Sequence, residues 1–321
     1  MIDLNENLAR DFLARNSLTN CVIKKVAGDA SFRSYYRIFF GEKKFILMFA
    51  PPQFEDIHPF IAIDKFLVSH DFSAPKIFAI DEENGFILLE DLGDETYGRV
   101  LAAEASGELG LYEKACDVLL QLHKISAPKN VAPYNNALLF REVMLFVDWY
   151  IPAHGKTISL AQKARYRNLW FNLFDLLAKE NQVLVLRDYH ADNLMVLQNR
   201  DAFRSVGLLD FQDAVIGSNA YDLVSLLEDA RRDVDCEVRK KIYDYYLKKS
   251  AYSSEQFALD YEILSLQRNI KILGIFCRLA MRDKKKNYLE LLPRVRALVE
   301  LRLNSKNKIF TEISDFLKNF L

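Results

Sequence analysis

Leu4, Leu8, Phe12 and Leu13 recur at helical spacing and predict a short amphipathic helix over residues 3–15. The period then changes. Residues 22–26, 32–40 and 45–49 are short β-rich runs separated by turns at Gly28-Asp29-Ala30-Ser31 and Gly41-Glu42-Lys43, which reads as an antiparallel meander. Pro51-Pro52 ends it, residues 57–70 carry a helical pattern, and two further strand-like runs, 76–80 and 85–89, flank the polar turn Asp81-Glu82-Glu83-Asn84. The implied unit is a five-stranded antiparallel sheet with one long helix after its third strand. Glu90-Asp91-Leu92-Gly93-Asp94 follows as an acidic link, so the expected division is 1–89, a link at 90–93, and 94–321. The remainder reads as helical around 95–106, 110–125, 136–152, 160–180, 221–231, 234–249, 255–281 and 291–320. Three apolar strand candidates, 183–186, 194–197 and 206–209, interrupt it. The fold class is α+β.

Composition narrows the function classes. Of 321 residues 50% are hydrophobic and 27% charged, an ordinary globular balance away from the disordered and collagenous classes. No apolar run approaches the roughly 20 residues of a membrane span, so no membrane partner is expected. The net charge of −1 gives no broad reason to bind nucleic acid, although residues 231–321 carry 20 Lys and Arg against 12 Asp and Glu. Cys21, Cys116, Cys236 and Cys277 form no CxxC pair, and the start MIDLNENLARDF has early acids and no long apolar stretch; reduced thiols and a cytoplasmic location are expected. GxGxxG, HExxH and GxSxG are absent, and two Walker-like stretches fail: Tyr150 stands where Gly155-Lys156-Thr157 would need its first glycine, and Arg99-Val100 follows Gly93 and Gly98.

The candidate chemistry sits beside the three interrupting strands, each of which is followed by polar residues: Arg187-Asp188-Tyr189-His190-Ala191-Asp192-Asn193, then 198–205, then Asp210-Phe211-Gln212-Asp213. Carboxylates immediately after buried strands are held on a rigid platform and exposed at its edge. Phosphoryl transfer requires magnesium, which takes oxygen ligands, and a second carboxylate kept off the metal for the proton of the attacking hydroxyl. Asp210 and Asn193 fit the metal role and Asp188 the base. Polar residues capping turns are the alternative reading, since Asp and Asn are default turn residues. Asp213 belongs to the same site or caps the next turn.

The stretch Leu186-Arg187-Asp188-Tyr189-His190-Ala191-Asp192-Asn193-Leu194-Met195, with Leu209-Asp210-Phe211-Gln212-Asp213 and Tyr221-Asp222-Leu223, resembles the aminoglycoside phosphotransferase and choline kinase superfamily. Ala27-Gly28-Asp29-Ala30-Ser31-Phe32-Arg33 with Tyr36-Arg37, Leu89-Glu90-Asp91-Leu92-Gly93, and the stretch from Gln267 to Leu279 with Arg282-Asp283 and Tyr288 are similar to its bacterial branch of anomeric kinases for N-acetylmuramate and N-acetylglucosamine. The resemblance implies a protein-kinase-like bilobal fold, with a small antiparallel-sheet lobe for the nucleotide and a mainly helical lobe for catalytic loop and acceptor. It implies ATP and Mg as cofactors, an amino-sugar hydroxyl as acceptor, and a place in cell-wall recycling. Residue by residue, Asp188 resembles the catalytic base, and Asn193 and Asp210 the metal ligands. Gly28, Ser31 and Arg33 resemble the turn over the nucleotide phosphates, and Leu88, Glu90 and Asp91 the adenine hinge. Asp222 resembles the aspartate that braces the catalytic loop; a plain helix N-cap is its other reading.

Two positions depart from the superfamily. Leu186 stands where a histidine usually precedes the catalytic aspartate, and Met48 where the third strand usually carries a phosphate-holding lysine. Lys44, Arg33 and Arg37 are the candidates to supply that cation, and Glu55, Asp56 and Asp64 the acids to pair with it. An aminoglycoside- or choline-type phosphotransferase, and a non-catalytic nucleotide-binding scaffold, are the alternatives. Trp149, Tyr150, His154 and Tyr189 line an acceptor pocket or continue the apolar core.

Overall fold

Helix α1 (Glu6–Arg15) starts where the Asn5 side chain accepts a hydrogen bond from the Leu8 amide, and it buries Ala9, Phe12 and Leu13. The computed structural model describes residues 4–26, 32–180, 182–250 and 252–321. Strands β1 (Val22–Lys25), β2 (Ser34–Phe40) and β3 (Lys43–Phe49) form the meander, helix α2 (His58–Ser69) follows, and β4 (Ile77–Asp81) and β5 (Phe86–Glu90) complete a sheet ordered β1-β2-β3-β5-β4. Every pairing in it is antiparallel. Along β2 the alternation expected of a half-buried strand turns Ser34, Tyr36 and Ile38 inward. Tyr36 and Ile38 pack with Leu47, Phe49, Phe86, Leu88 and the apolar face of α1 into one core. Gly85, between β4 and β5, has φ +71°, and a Cβ there would lie 2.0 Å from the Ala50 carbonyl oxygen, so no side chain fits.

Beyond β5 come α3 (Tyr97–Ala103), α4 (Glu108–Leu122) and α5 (Asn136–Leu145), then a π-helical turn (Phe146–Tyr150), α6 (Ile151–Ala153) and α7 (Leu160–Phe174). Strand β6 (Gln182–Val185) leads to the hairpin β7 (Leu194–Val196) and β8 (Val206–Leu208); β9 (Val215–Ser218) then returns to pair antiparallel with β6. Helices α8 (Tyr221–Leu227), α9 (Cys236–Lys249), α10 (Ser254–Met281), α11 (Leu292–Leu303) and α12 (Thr311–Leu317) finish the chain. Helix α10 is buried on nearly all sides, as a central helix must be, and packs against α5, α8, α11 and the π turn.

These elements gather into two compact units: Met1–Ala103 with Asp192–Asp213, and Glu104–Ala191 with Ala214–Leu321. The hairpin therefore belongs with the sheet. Leu208 donates its amide to Ser73, Val196 to Glu95, and the Phe60–Phe211 and Phe72–Phe203 ring pairs lie 5.2 Å apart. Among the described residues no helix is long and apolar enough to cross a membrane.

Three local expectations are corrected. The helix expected over 291–320 is two helices, because Asn304-Ser305-Lys306-Asn307 offers no apolar face and Asn307 caps a new turn through the Ile309 amide. The helix expected over 136–152 widens into the π turn just before Pro152, a residue without an amide hydrogen. Strand β9 was not expected; its four residues include a glycine and a serine and show no alternation of their own.

Candidate active site

Strand β6 delivers the chain to Leu186-Arg187-Asp188, and Asp222 fixes the delivery. Its two carboxylate oxygens accept from the Leu186 amide at 2.6 Å and the Arg187 amide at 2.9 Å. Asp222 is buried, and burial raises its pKa to about 7 against the lowering effect of the two donors. Ala220, not Asp222, is the N-cap of α8. Arg187 adopts φ +69°, a left-handed conformation uncommon for a side chain of its size, and the half-buried Asp188 follows. On the far side of Asp188 the chain is pinned again. The Tyr189 hydroxyl donates to the Ala115 carbonyl at 2.8 Å, the Ala191 amide donates to Asp229 at 3.3 Å, and Arg231 donates to His190 Nε2 at 3.0 Å. Burial, then Arg231 and Arg268, hold His190 far below its ordinary pKa, so it is a neutral acceptor.

Beneath this loop lies a charged cluster that the sequence did not reveal. Glu142 of α5 takes Arg187 at 2.5 Å, Lys271 at 3.1 Å and Gln267 at 3.0 Å, and the Tyr134 hydroxyl as well. Lys271 also donates to the Tyr221 hydroxyl at 3.2 Å. Burial alone would raise the Glu142 pKa; Lys271 and Arg187 overcome it and hold the group at about 2. Two cations thus share one buried carboxylate, and both also feel the charge of Asp188. The legible signal was a run of polar side chains, Gln267, Arg268, Asn269 and Lys271, inside an otherwise apolar helix.

The metal-ligand candidates belong to the other compact unit. Asn193 and Asp210 approach across the hairpin, with Asn193 Nδ2 3.4 Å from Asp210 Oδ2 and the Leu209 amide donating to the Asn193 carbonyl at 3.0 Å. Asp210 adopts φ +58°, and Gln212 holds its second oxygen at 2.8 Å. One carboxylate and one amide are hard donors of the kind magnesium takes while keeping water and phosphate as its other ligands. Among the described residues no group of three or more His, Cys, Asp or Glu forms a cage for a metal.

Of the nucleotide-turn candidates, Gly28 and Ser31 lie outside the described residues. Arg33 does not: its Nε is 3.3 Å from Glu55, whose other oxygen accepts from the Phe32 amide at 3.2 Å. Leu88 is buried in the sheet core, the Glu90 amide donates to the Lys76 carbonyl, and the Glu90 side chain pairs with Arg200 at 2.5 Å. Asp91 and Asp94 are both bound by Arg37, at 2.7 and 2.9 Å. Asp56 instead caps the start of α2 through the His58 amide at 2.9 Å, while burial, then the charge of Glu90, pushes the Asp64 carboxyl up to about 7. Among the aromatic candidates, Tyr150 and Tyr189 are core residues and His154 is an exposed ring against Tyr150.

Residues 22–258 match the phosphotransferase enzyme family. The chain is 37% identical over 281 residues to the N-acetylmuramate/N-acetylglucosamine kinase of Pseudomonas putida, covering 85% of this chain and 81% of the relative. It is 33% identical to the Caulobacter vibrioides kinase of the same name, covering 88% of each. Among solved structures, the choline kinase LicA of Streptococcus pneumoniae matches with a TM-score of 0.63 at 13% identity, over 92% of this chain and 98% of that one. An ADP-bound aminoglycoside phosphotransferase matches with a TM-score of 0.63 at 15% identity, over 96% and 99%. At such identities these likenesses speak to the fold, which is protein-kinase-like. The length of the sequence match, from the first strand of the sheet to the central helix, decides the membership: this chain belongs to the phosphotransferase enzyme family.

Proposed function

We propose that the chain transfers the γ-phosphoryl group of Mg·ATP to the anomeric hydroxyl of N-acetylmuramate or N-acetylglucosamine. The observation that carries this reading is the pair of relatives so named, at 33–37% identity over more than four-fifths of their length, on a chain whose candidate base sits on a doubly pinned loop. Asp188 accepts the hydroxyl proton as the sugar oxygen bonds to phosphorus and the bond to the ADP oxygen breaks. An anomeric hydroxyl is more acidic than an ordinary alcohol, so the carboxylate need only orient it and take the proton late. Asn193 and Asp210 are the residues that would hold magnesium, which supplies neutralising charge on the phosphate oxygens. Glu90–Gly93 serves as the hinge, and the chain after Glu90 meets the adenine, since the Glu90 amide is already used within the sheet.

A phosphate-transfer assay across N-acetylmuramate, N-acetylglucosamine, aminoglycosides and choline tests the acceptor. Phosphorylation at the anomeric position also abolishes the reducing-end reaction of the sugar, which fixes the site of transfer. Asp188→Asn is expected to lower kcat by about 10²- to 10⁴-fold with nucleotide affinity nearly unchanged. Asp210→Ala weakens Mg·ATP binding as well. Turnover that survives Asp188→Asn undiminished would remove the mechanism, and phosphorylation of choline or an aminoglycoside alone would replace the acceptor.

A further inference from the structure

Three cations were candidates for the place left by Met48, and the structure separates them. Met48 itself is fully buried in the sheet. Arg37 is committed: Nε lies 2.7 Å from Asp91, Nη1 2.9 Å from Asp94, and Nη2 3.1 Å from Asp91 and 3.2 Å from the Gly93 carbonyl. Both carboxylates and the backbone of the link are thereby bound by one guanidinium, which makes Arg37 a brace for that segment. Lys44 is exposed, pairs across the strands with Phe39, and has its ammonium 5.9 Å from the Phe39 ring, a face it shares with Lys24 at 5.2 Å.

Arg33 differs from both. Its side chain is 11% exposed and that of Glu55 17%, so the pair is shielded from the screening that weakens surface ion pairs. Glu55 is itself held in place by the Phe32 amide, which fixes the acid relative to the start of β2. Arg33 also feels the negative charge of Asp210, a metal-ligand candidate, and of Asp213. A guanidinium there faces more negative charge than Glu55 alone supplies, and it presents several N–H donors in a planar fork suited to phosphate oxygens.

We infer that the Arg33–Glu55 pair replaces the missing third-strand lysine and its helix acid, with Arg33 binding the nucleotide phosphates and Glu55 positioning it. This rests on the ATP-dependent reading above. It also accounts for Asp64: the acid on α2 has no role to fill once Glu55, in the loop before that helix, takes the cation. The buried carboxyl near neutrality then stays with α2 and plays no part in phosphate binding.

Calorimetric titration with adenosine, ADP and Mg·ATP tests the inference on the intact chain. Arg33→Met is expected to weaken ADP and ATP at least 10-fold while adenosine, which has no phosphates, binds as before. Glu55→Gln weakens ATP by a smaller factor, Arg33→Lys retains part of the affinity, and Lys44→Met changes nothing. Met48→Lys introduced into Arg33→Met restores part of the ATP affinity. Arg33→Met that binds ATP as tightly as the wild type overturns the inference, as does an equal loss for all three ligands or a loss confined to Lys44→Met. If Arg33→Met fails to fold, the Glu55→Gln and Arg33→Lys titrations decide in the same way. Wild-type protein that binds no ATP would overturn the kinase reading itself, which keeps the two failures apart.

Discussion

Glu142 ties together the charged cluster of the helical unit. It neutralises two buried cations at once, and truncating a buried ionic network costs more than the pair contributes, because the charges left behind are desolvated and unmatched. Glu142→Gln is expected to destabilise the protein by about 3–5 kcal/mol, read from denaturant midpoints at constant slope. A loss below about 1 kcal/mol would mean that Arg187 and Lys271 find other partners. Arg187 links this cluster to the chemistry, since its backbone is held by Asp222 in a left-handed conformation and its side chain by Glu142. The sequence pointed to Asp188 and Asp222 because acids beside short apolar strands stand out in a linear pattern. Glu142 did not stand out, because it sits at one position of an apolar helix and its partners are far along the chain. The polar run in α10 marked one side of the cluster but not the acid it meets.

At the scale of elements, Gly274 lets α10 approach the backbone where α5 passes into the π turn. A Cβ on Gly274 would lie 2.2 Å from the Leu145 carbonyl carbon and 2.6 Å from the Phe146 nitrogen. Backbone cannot move aside as a side-chain tip can, so Gly274→Ala must push the helix and the turn apart. We expect a loss of at least about 1–3 kcal/mol, the usual range for overpacking, and a depressed melting temperature measured by circular dichroism. An unchanged melting temperature would show that the two elements slide freely. Periodicity located α10 to within a residue at its start, because a buried helix of this length repeats its apolar positions many times. It passed over the π turn, whose extra residue alters hydrogen bonding without altering composition. It missed β9 for a related reason: that strand is defined by its partner β6 and not by its own alternation.

The protonation balance belongs to the molecule as a whole. His123 is half-buried with its ring against the Tyr246 hydroxyl, and desolvation lowers its pKa to about 3; His190 is lowered as well. Both are neutral when folded and take a proton when unfolded below about pH 6.5, so stability present above that pH falls on acidification. Asp222 and Asp64 act oppositely, each being protonated below about 7 when folded and only below about 3.9 when unfolded. Between roughly pH 4.5 and 6 the two protons gained by the unfolded histidines are offset by the two held on the folded carboxyls, so these groups leave stability nearly flat. Nearer pH 4 and below, Glu142, held at about 2, turns the balance to a loss. Urea titrations from pH 7 to 5 read this balance, and His123→Gln should tip it so that stability rises as the pH falls; an unchanged profile in the variant would place the missing proton elsewhere. The hairpin carries a different consequence, one for cutting and splicing the chain. Its strands and ring pairs cover Ser73, Phe60 and Phe72, yet it is encoded almost ninety residues after α3. A fragment ended at residue 103 would bare two aromatic rings and lack Asn193 and Asp210, so the sheet unit is not a transplantable module. A chimera that exchanges the first hundred residues must carry residues 192–213 from the same parent, or it joins one protein's Phe60 and Phe72 to another protein's hairpin.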